Sequence, residues 1–149
     1  MSNSHKTIVI CSSANFYEHV GQLADQLEAM GYQAVMPLNA VKMKASGDYD
    51  VAKTKTWYDN PADFHKKQSY MDAHFKEIAD GDAVLLVNDT KHGVEGYIGP
   101  NGLMEMAVGY YLKKPIFILH DVAKEVGCYE EVMGMGTIQL HGDIENLKF

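Results

Sequence analysis

Residues 7–37, TIVICSSANFYEHVGQLADQLEAMGYQAVMP, decide the architecture. TIVIC at 7–11 is a short apolar run rich in β-branched residues, the signature of a buried strand. The polar cluster SSAN follows, and the spacing then changes: Phe16, Val20, Leu23, Leu27 and Met30 recur at intervals of three and four. That periodicity predicts a helix with one apolar face. Asn15 with Glu18 three residues later has the form of a capping box, and Gly31 supplies the stop. QAVMP at 33–37 is a second strand, ended by Pro37. Strand, helix and strand in this order form a β-α-β unit, which implies parallel pairing.

The same alternation continues outward from this unit. Residues 38–60 interrupt it with LNAVKMKASGDYDVAKTKTWYDN, a long irregular segment ending near Trp57 and Tyr58. Loops of this length in compact domains are usually functional or mobile. Asn60-Pro61 restarts a helix as N-cap and first turn, with Phe64, Met71, Phe75 and Ile78 on its buried face. AVLLVN at 83–88 is nearly all apolar, as expected of a central parallel strand covered on both faces. A helix over about 102–113, a strand PIFIL at 115–119, a short helix over 121–133 and a strand TIQL at 137–140 complete the series. The tail HGDIENLKF is polar and gives no assignment. The expectation is an α/β three-layer sandwich, one domain over 1–149, with a five-stranded, mainly parallel sheet in flavodoxin/Rossmann-like order 2-1-3-4-5.

Composition narrows the functional classes. A chain of 149 residues with 46% hydrophobic content buries a core without metals or disulfides. Net charge is −7, which argues against a nucleic-acid partner, because phosphate neutralisation needs clustered positive charge. All 13 basic residues are lysines. Without arginine, an anion here must be held by lysine, hydroxyls, backbone N–H groups or a helix N-terminus. No apolar run reaches the roughly 20 residues of a membrane helix, so no membrane partner is expected. MSNSHK lacks a signal-peptide core, and Cys11 and Cys128 do not read as a disulfide framework, which points to the cytoplasm. The seven histidines form no evident metal set: His65 and His74, nine apart, fall on opposite sides of a helix. The loops carry no flavin phosphate signature, and no cofactor is expected.

In an open parallel sheet, ligands bind beyond the carboxyl ends of the strands where strand order reverses. With order 2-1-3-4-5 that point lies between strands one and three, where the loops starting at Cys11-Ser12-Ser13 and at Asn88-Asp89 meet. Ser12, Ser13 and Asn15 either donate to a phosphate or sugar at the helix N-terminus or simply cap that helix. Asn88 and Asp89 either orient a sugar hydroxyl or catalytic group, or build the turn through their side chains. Trp57 and Tyr58 either stack on a flat heterocycle or anchor packing. Lys42, Lys44, Lys53 and Lys55 form a solvated loop face or guide an anionic ligand.

The second loop, NDTKHGVEGYIGPNGLMEM at 88–106, has glycines at every third position, 93, 96, 99 and 102. This spacing matches no phosphate-loop or dinucleotide pattern. The glycines permit positive φ and close approach by another group, and Pro100 stiffens the entry to the helix. Glu105 then falls in the first helical turn, with Gly102 as N-cap. Acidic residues favour that position through the macrodipole, which is one reading. The other is chemical: Leu103, Met106, Ala107 and Tyr110 share an apolar face, while Glu105 stacks on Gly109, leaving space above the carboxylate.

Three stretches together, IVICSSANFYEHVGQLADQLEAMGYQAVMP, DAVLLVND and GYIGPNGLMEMAVGYYLKKPIFIL, resemble the nucleoside 2-deoxyribosyltransferase-like superfamily. Its members carry a strand ending in a polar residue, a glycine-bearing loop, a helix opening on an E-x-(A/G)-x-A-like motif, and a K-P-(I/V) strand. Here these read EMAVG at 105–109 and KPI at 114–116. The resemblance spans 7–119 and is strongest over 82–119. It implies Glu105 as the nucleophile that attacks C1′ of a deoxyribose, with water or a second base resolving the glycosyl ester. It places Asn88 or Asp89 against the sugar or base and Tyr97 beside the nucleophile. Ser12, Ser13 and Trp57, from the loop positions above, and Gly99 and Asn101, on the glycine loop, are the further substrate-binding candidates. The implied partner is a small-molecule nucleoside or nucleotide. The first loop, CSSANF, departs from the glycine-rich, often arginine-bearing loop of the phosphate-preferring hydrolases. The superfamily's transferases end in a segment that completes a neighbour's site, a place ENLKF at 145–149 would take. A non-catalytic nucleotide-binding or sensor domain of the same fold is the alternative. The apolar girth of helix 102–113 suggests a homo-oligomer.

Overall fold

The computed structural model describes residues 5–149. Its elements are β1 (Thr7–Ser12), α1 (Tyr17–Ala29), β2 (Gln33–Val35), α2 (Leu38–Ser46), α3 (Phe64–Asp80), β3 (Ala83–Val87), α4 (Pro100–Tyr111), β4 (Ile116–Ile118), α5 (Tyr129–Gly134) and β5 (Ile138–Gln139). The five strands form one parallel sheet in the order β2-β1-β3-β4-β5. β3 pairs with β1 along its whole length, from Ala83 opposite Ile8 to Val87 opposite Ser12.

Strand periodicity sorts the core into two layers. Ile8 and Ile10 of β1, with Leu85 and Val87 of β3, pack against α1 through Val20, Leu23 and Leu27. Val9 and Cys11, with Val84 and Leu86, face the other way, toward Ile78 of α3 and Met106 of α4. Every residue of β3 is buried, as a strand covered on both faces must be. Among the described residues, no helix is long and apolar enough to cross a membrane.

Several local expectations change. The segment after β2 is not irregular throughout: Leu38–Ser46 is helical, ends on Gly47 at φ +73, and packs on α1. Short 3₁₀ turns at Val51–Lys53, Thr56–Tyr58 and Pro61–Asp63 then carry the chain to α3. The Asn15–Glu18 capping box does not form, because Asn15 lies inside a 3₁₀ turn at Ala14–Phe16 and Phe16 is the N-cap of α1. Phe64 is half exposed and lies against Trp57, with ring centroids 6.4 Å apart; the fully buried residues of α3 are His74 and Ile78. The predicted helix over 121–133 shortens to α5, preceded by turns. The tail is anchored on its own chain: Leu147 is buried and Phe149 stacks on Tyr32 at 6.2 Å.

The most consequential shift is at α4. The helix begins at Pro100 with Gly99 as N-cap, so Glu105 is its sixth residue and no acidic residue occupies its first turn. Glu105 is therefore not a helix-start carboxylate. It sits on the buried face with Gly102, Met106 and Gly109, while Ala107 and Tyr110 face outward. The expected space above Gly109 is also absent. A Cβ there would lie 2.9 Å from Val84 Cγ2, so this glycine lets α4 press against the sheet.

Candidate active site at the carboxyl edge of the sheet

A cavity of about 180 Å³ opens at the carboxyl ends of β1 and β3, where strand order reverses. Its wall includes Ser12, Ser13, Trp57, Tyr97, Gly99, Asn101 and Glu105. All seven were singled out from the sequence, as were Asn15 and Tyr58, which do not line the wall. Asn88 and Asp89 are not brought to it. Asn88 is fully buried and clamps the next strand's exit: its Nδ2 donates to the His120 carbonyl at 2.9 Å, and the His120 N–H donates to its Oδ1 at 2.8 Å. Asp89 lies between His19 Nδ1 at 2.6 Å and His120 Nε2 at 3.1 Å.

The glycine loop shapes one wall of the cavity. Lys91 and Val94 exchange backbone hydrogen bonds around His92 (φ 53) and Gly93 (φ 72), a two-residue turn with positive φ at both central positions. This turn directs Lys91 back across the mouth, where Nζ donates to Ser13 Oγ at 2.9 Å and sits 5.3 Å over the Tyr97 ring. Gly99 lets Tyr97 lie close over the backbone: a Cβ there would sit 3.2 Å from Cε1 and 3.3 Å from the hydroxyl, and the ring would have to shift. The loop is thus a fitted surface that joins the first and third strand ends.

Glu105 is only 5% exposed, yet it borders the cavity. Asn101, one helical turn earlier, donates from Nδ2 to Glu105 Oε1 at 2.7 Å and accepts from Lys67 Nζ at 2.7 Å. Glu105 Oε2 is buried without a hydrogen-bond partner among the described residues. A carboxylate oxygen left without a donor is costly, which marks it for a further contact. Burial raises the Glu105 pKa, opposed by His74, the neighbouring Cys11 thiol, Lys67 and Asn101. Burial likewise raises the Cys11 and Tyr17 pKa values, with Glu105 adding to both shifts. His74 is buried as well, which works against its protonation, but Glu77 and Glu105 outweigh this and its pKa is raised.

Sequence reasoning missed several wall residues: Tyr17, Lys67, Tyr70, His74 and Lys91. Cys11 lies behind them, its Sγ 3.3 Å from His74 Nε2. One signal for His74 was available, because it shares the helical stripe of Met71 and Ile78, four or fewer residues away on either side. Lys55, read either as solvated loop face or as a guide for an anionic ligand, also lines the cavity. Tyr58, by contrast, is 76% exposed and stands outside it.

The cavity is positive in a chain of negative net charge. Lys55, Lys67 and Lys91 line it, and among the described residues none of them forms an ion pair, whereas Lys6, Lys44, Lys53, Lys66 and Lys76 each do. Burial first, and then the charge of Lys55, lowers the pKa of Lys91; burial lowers that of Lys67, opposed by Glu105 and aided by Lys55. Lysines that repel one another beside a single carboxylate have the electrostatics of an anion-binding mouth.

The fold and cavity define an α/β three-layer domain with a switch-point pocket built around a buried carboxylate. No protein-family model matches the chain, and no curated protein matches it.

Proposed function

We propose that this protein cleaves or transfers the N-glycosidic bond of a (deoxy)nucleoside or nucleotide, with Glu105 as nucleophile. The observation carrying this reading is the buried Glu105 carboxylate on the cavity wall, one oxygen held by Asn101 and the other beside the Cys11 thiol with no close hydrogen-bond partner among the described residues. A Glu105 oxygen bonds to C1′ as the C1′–N bond breaks, and its electron pair leaves with the base, which takes up a proton. Water or a second base then displaces the ester, so two inversions retain configuration at C1′. Trp57 and Tyr97 offer flat walls for a base. The lysine-lined mouth favours a 5′-phosphorylated substrate over the free nucleoside.

The test is base release from a panel of deoxynucleosides and their 5′-monophosphates, followed by chromatography. Wild type should release base, and Glu105→Ala and Glu105→Gln should not. A silent wild type, or a variant equal to it, would overturn the proposal. The second reading, a nucleotide-binding or sensor domain without turnover, draws on the depth of Glu105, which is 5% exposed. Thermal stabilisation by nucleotides with no base release would select it.

A further inference from the structure

We propose that Cys11, His74 and Glu105 form a binding site for a thiophilic divalent cation of the Zn²⁺ class. The three residues come from β1, α3 and α4 and are 0%, 6% and 5% exposed. Cys11 Sγ lies 3.3 Å from His74 Nε2, which lies 3.9 Å from Glu105 Oε2. The three donor atoms are all within 4.8 Å of one another. Bond lengths of about 2.3 Å to sulfur and 2.0–2.1 Å to nitrogen or oxygen put tetrahedral donors roughly 3.3–3.6 Å apart. Small side-chain adjustments therefore bring the set onto one ion.

The surroundings also suit a metal. Glu77 Oε2 lies 2.7 Å from His74 Nδ1, so the ring donates there and turns its Nε2 lone pair toward Cys11 and Glu105. A carboxylate behind the imidazole is the usual support for a metal-binding histidine. Asn101 holds Glu105 Oε1, leaving Oε2, which has no hydrogen-bond partner among the described residues, as a single ligand atom. On binding, the Cys11 thiol releases its proton to solvent and bonds as thiolate. One thiolate and one carboxylate then balance the 2+ charge around a neutral imidazole, which makes a buried site tolerable. Sulfur and nitrogen donors select Zn²⁺ over Mg²⁺ or Ca²⁺. His74 and Glu105 border the cavity, so a fourth position is open to water or a small ligand.

This site rests on donor geometry and not on the glycosidic reading; its consequence for that reading is inhibition. The metal and C1′ would compete for the Glu105 carboxylate.

The decisive experiment is a Co²⁺ titration of the Cys128→Ser variant, monitored by absorption, with Zn²⁺ affinity measured against a chromophoric chelator. Cys11 is then the sole cysteine in the chain. One equivalent of Co²⁺ should produce a thiolate charge-transfer band and the intense visible bands of tetrahedral coordination, and Zn²⁺ should erase them. Glu77→Gln should weaken binding roughly 10–100-fold, and Glu105→Gln and His74→Gln more. No thiolate band in a folded Cys128→Ser protein, as judged by circular dichroism, would overturn the proposal. So would Glu105→Gln binding as tightly as wild type. Base-release assays with and without Zn²⁺ read the inhibition separately, so failure of the enzymatic reading leaves the spectral test intact.

Discussion

Asn101 and Glu105, four residues apart on α4, are joined by a 2.7 Å hydrogen bond from Nδ2 to Oε1. The bond forms because α4 starts at Pro100, which puts both side chains on the turn that borders the cavity. Asn101 also accepts from Lys67, so one amide links a cation on α3 to the buried carboxylate. Glu105 keeps a burial-raised pKa despite these donors, so its ionised form is held at a cost to the fold.

That cost separates function from structure at one position. Glu105→Gln preserves shape and removes the buried charge, so its melting temperature should equal or exceed that of wild type. Base release should fall by roughly 10³-fold or more, as for loss of a nucleophile. A variant that melts lower and still turns over would show that Glu105 serves packing alone.

Lys91 tests the anion-binding mouth without touching the carboxylate. In the Glu105→Gln background, Lys91→Met should weaken a deoxynucleoside 5′-monophosphate by about 1.5–3 kcal/mol, the range for a hydrogen bond to a charged group. The corresponding nucleoside should bind unchanged, and the difference should shrink at high salt. Calorimetric titration of both ligands gives the answer; equal losses for the two would remove the phosphate from the reading.

Trp57, the sole tryptophan of the chain, reports on the segment that closes one side of the cavity. Asp63 holds this segment: its Oδ2 accepts from Thr56 Oγ1 at 2.7 Å and pairs with Lys66 at 3.2 Å. The Thr56 hydrogen bond, and then that with Lys66, lowers the Asp63 pKa. A carboxyl depressed in the folded state stabilises above its unfolded value, about 3.9, and loses that contribution as pH falls through the lower folded value. Trp57 fluorescence should therefore change below about pH 4, and Asp63→Asn should show a weaker dependence.

At Gly109, Ala should destabilise. Its Cβ would meet Val84 Cγ2 at 2.9 Å in the layer between α4 and the sheet. Overpacking costs about 1–3 kcal/mol, against about 1 kcal/mol regained in helix propensity. Chemical denaturation should give a net loss; a gain would mean that α4 slides freely on the sheet.

Met104, Tyr110, Tyr111 and Leu112 stand 39%, 55%, 83% and 38% exposed on or just beyond α4. An apolar surface of this kind commonly covers itself in a second copy. Light scattering should give a mass above that of one chain, and Tyr111→Glu should lower it. A monomeric wild type would leave the face without that role.

The sheet order was legible in the sequence because it rests on local signals. Apolar runs such as TIVIC and AVLLV at period two, alternating with helices at period 3.6, permit few topologies once parallel crossovers are required. The cavity's position followed from that order, and with it Ser12, Ser13, Tyr97, Gly99, Asn101 and Glu105. Local reading placed the N-cap of α4 three residues too late. With Gly102 as N-cap, Glu105 reads either as a helix-start carboxylate or as a reactive group below open space; with Gly99 as N-cap it turns inward onto the sheet. Its neighbours Cys11 and His74 lie 94 and 31 residues earlier in the chain, and no periodicity links them to it. Their meeting depends on which face of β1 Cys11 takes, and on how closely α3 and α4 pack against that face through Ile78, Met106 and Gly109. Secondary structure follows from residues close in sequence, whereas the chemistry of this site comes from side chains that only the packing of α3 and α4 on one face of the sheet brings within 4.8 Å.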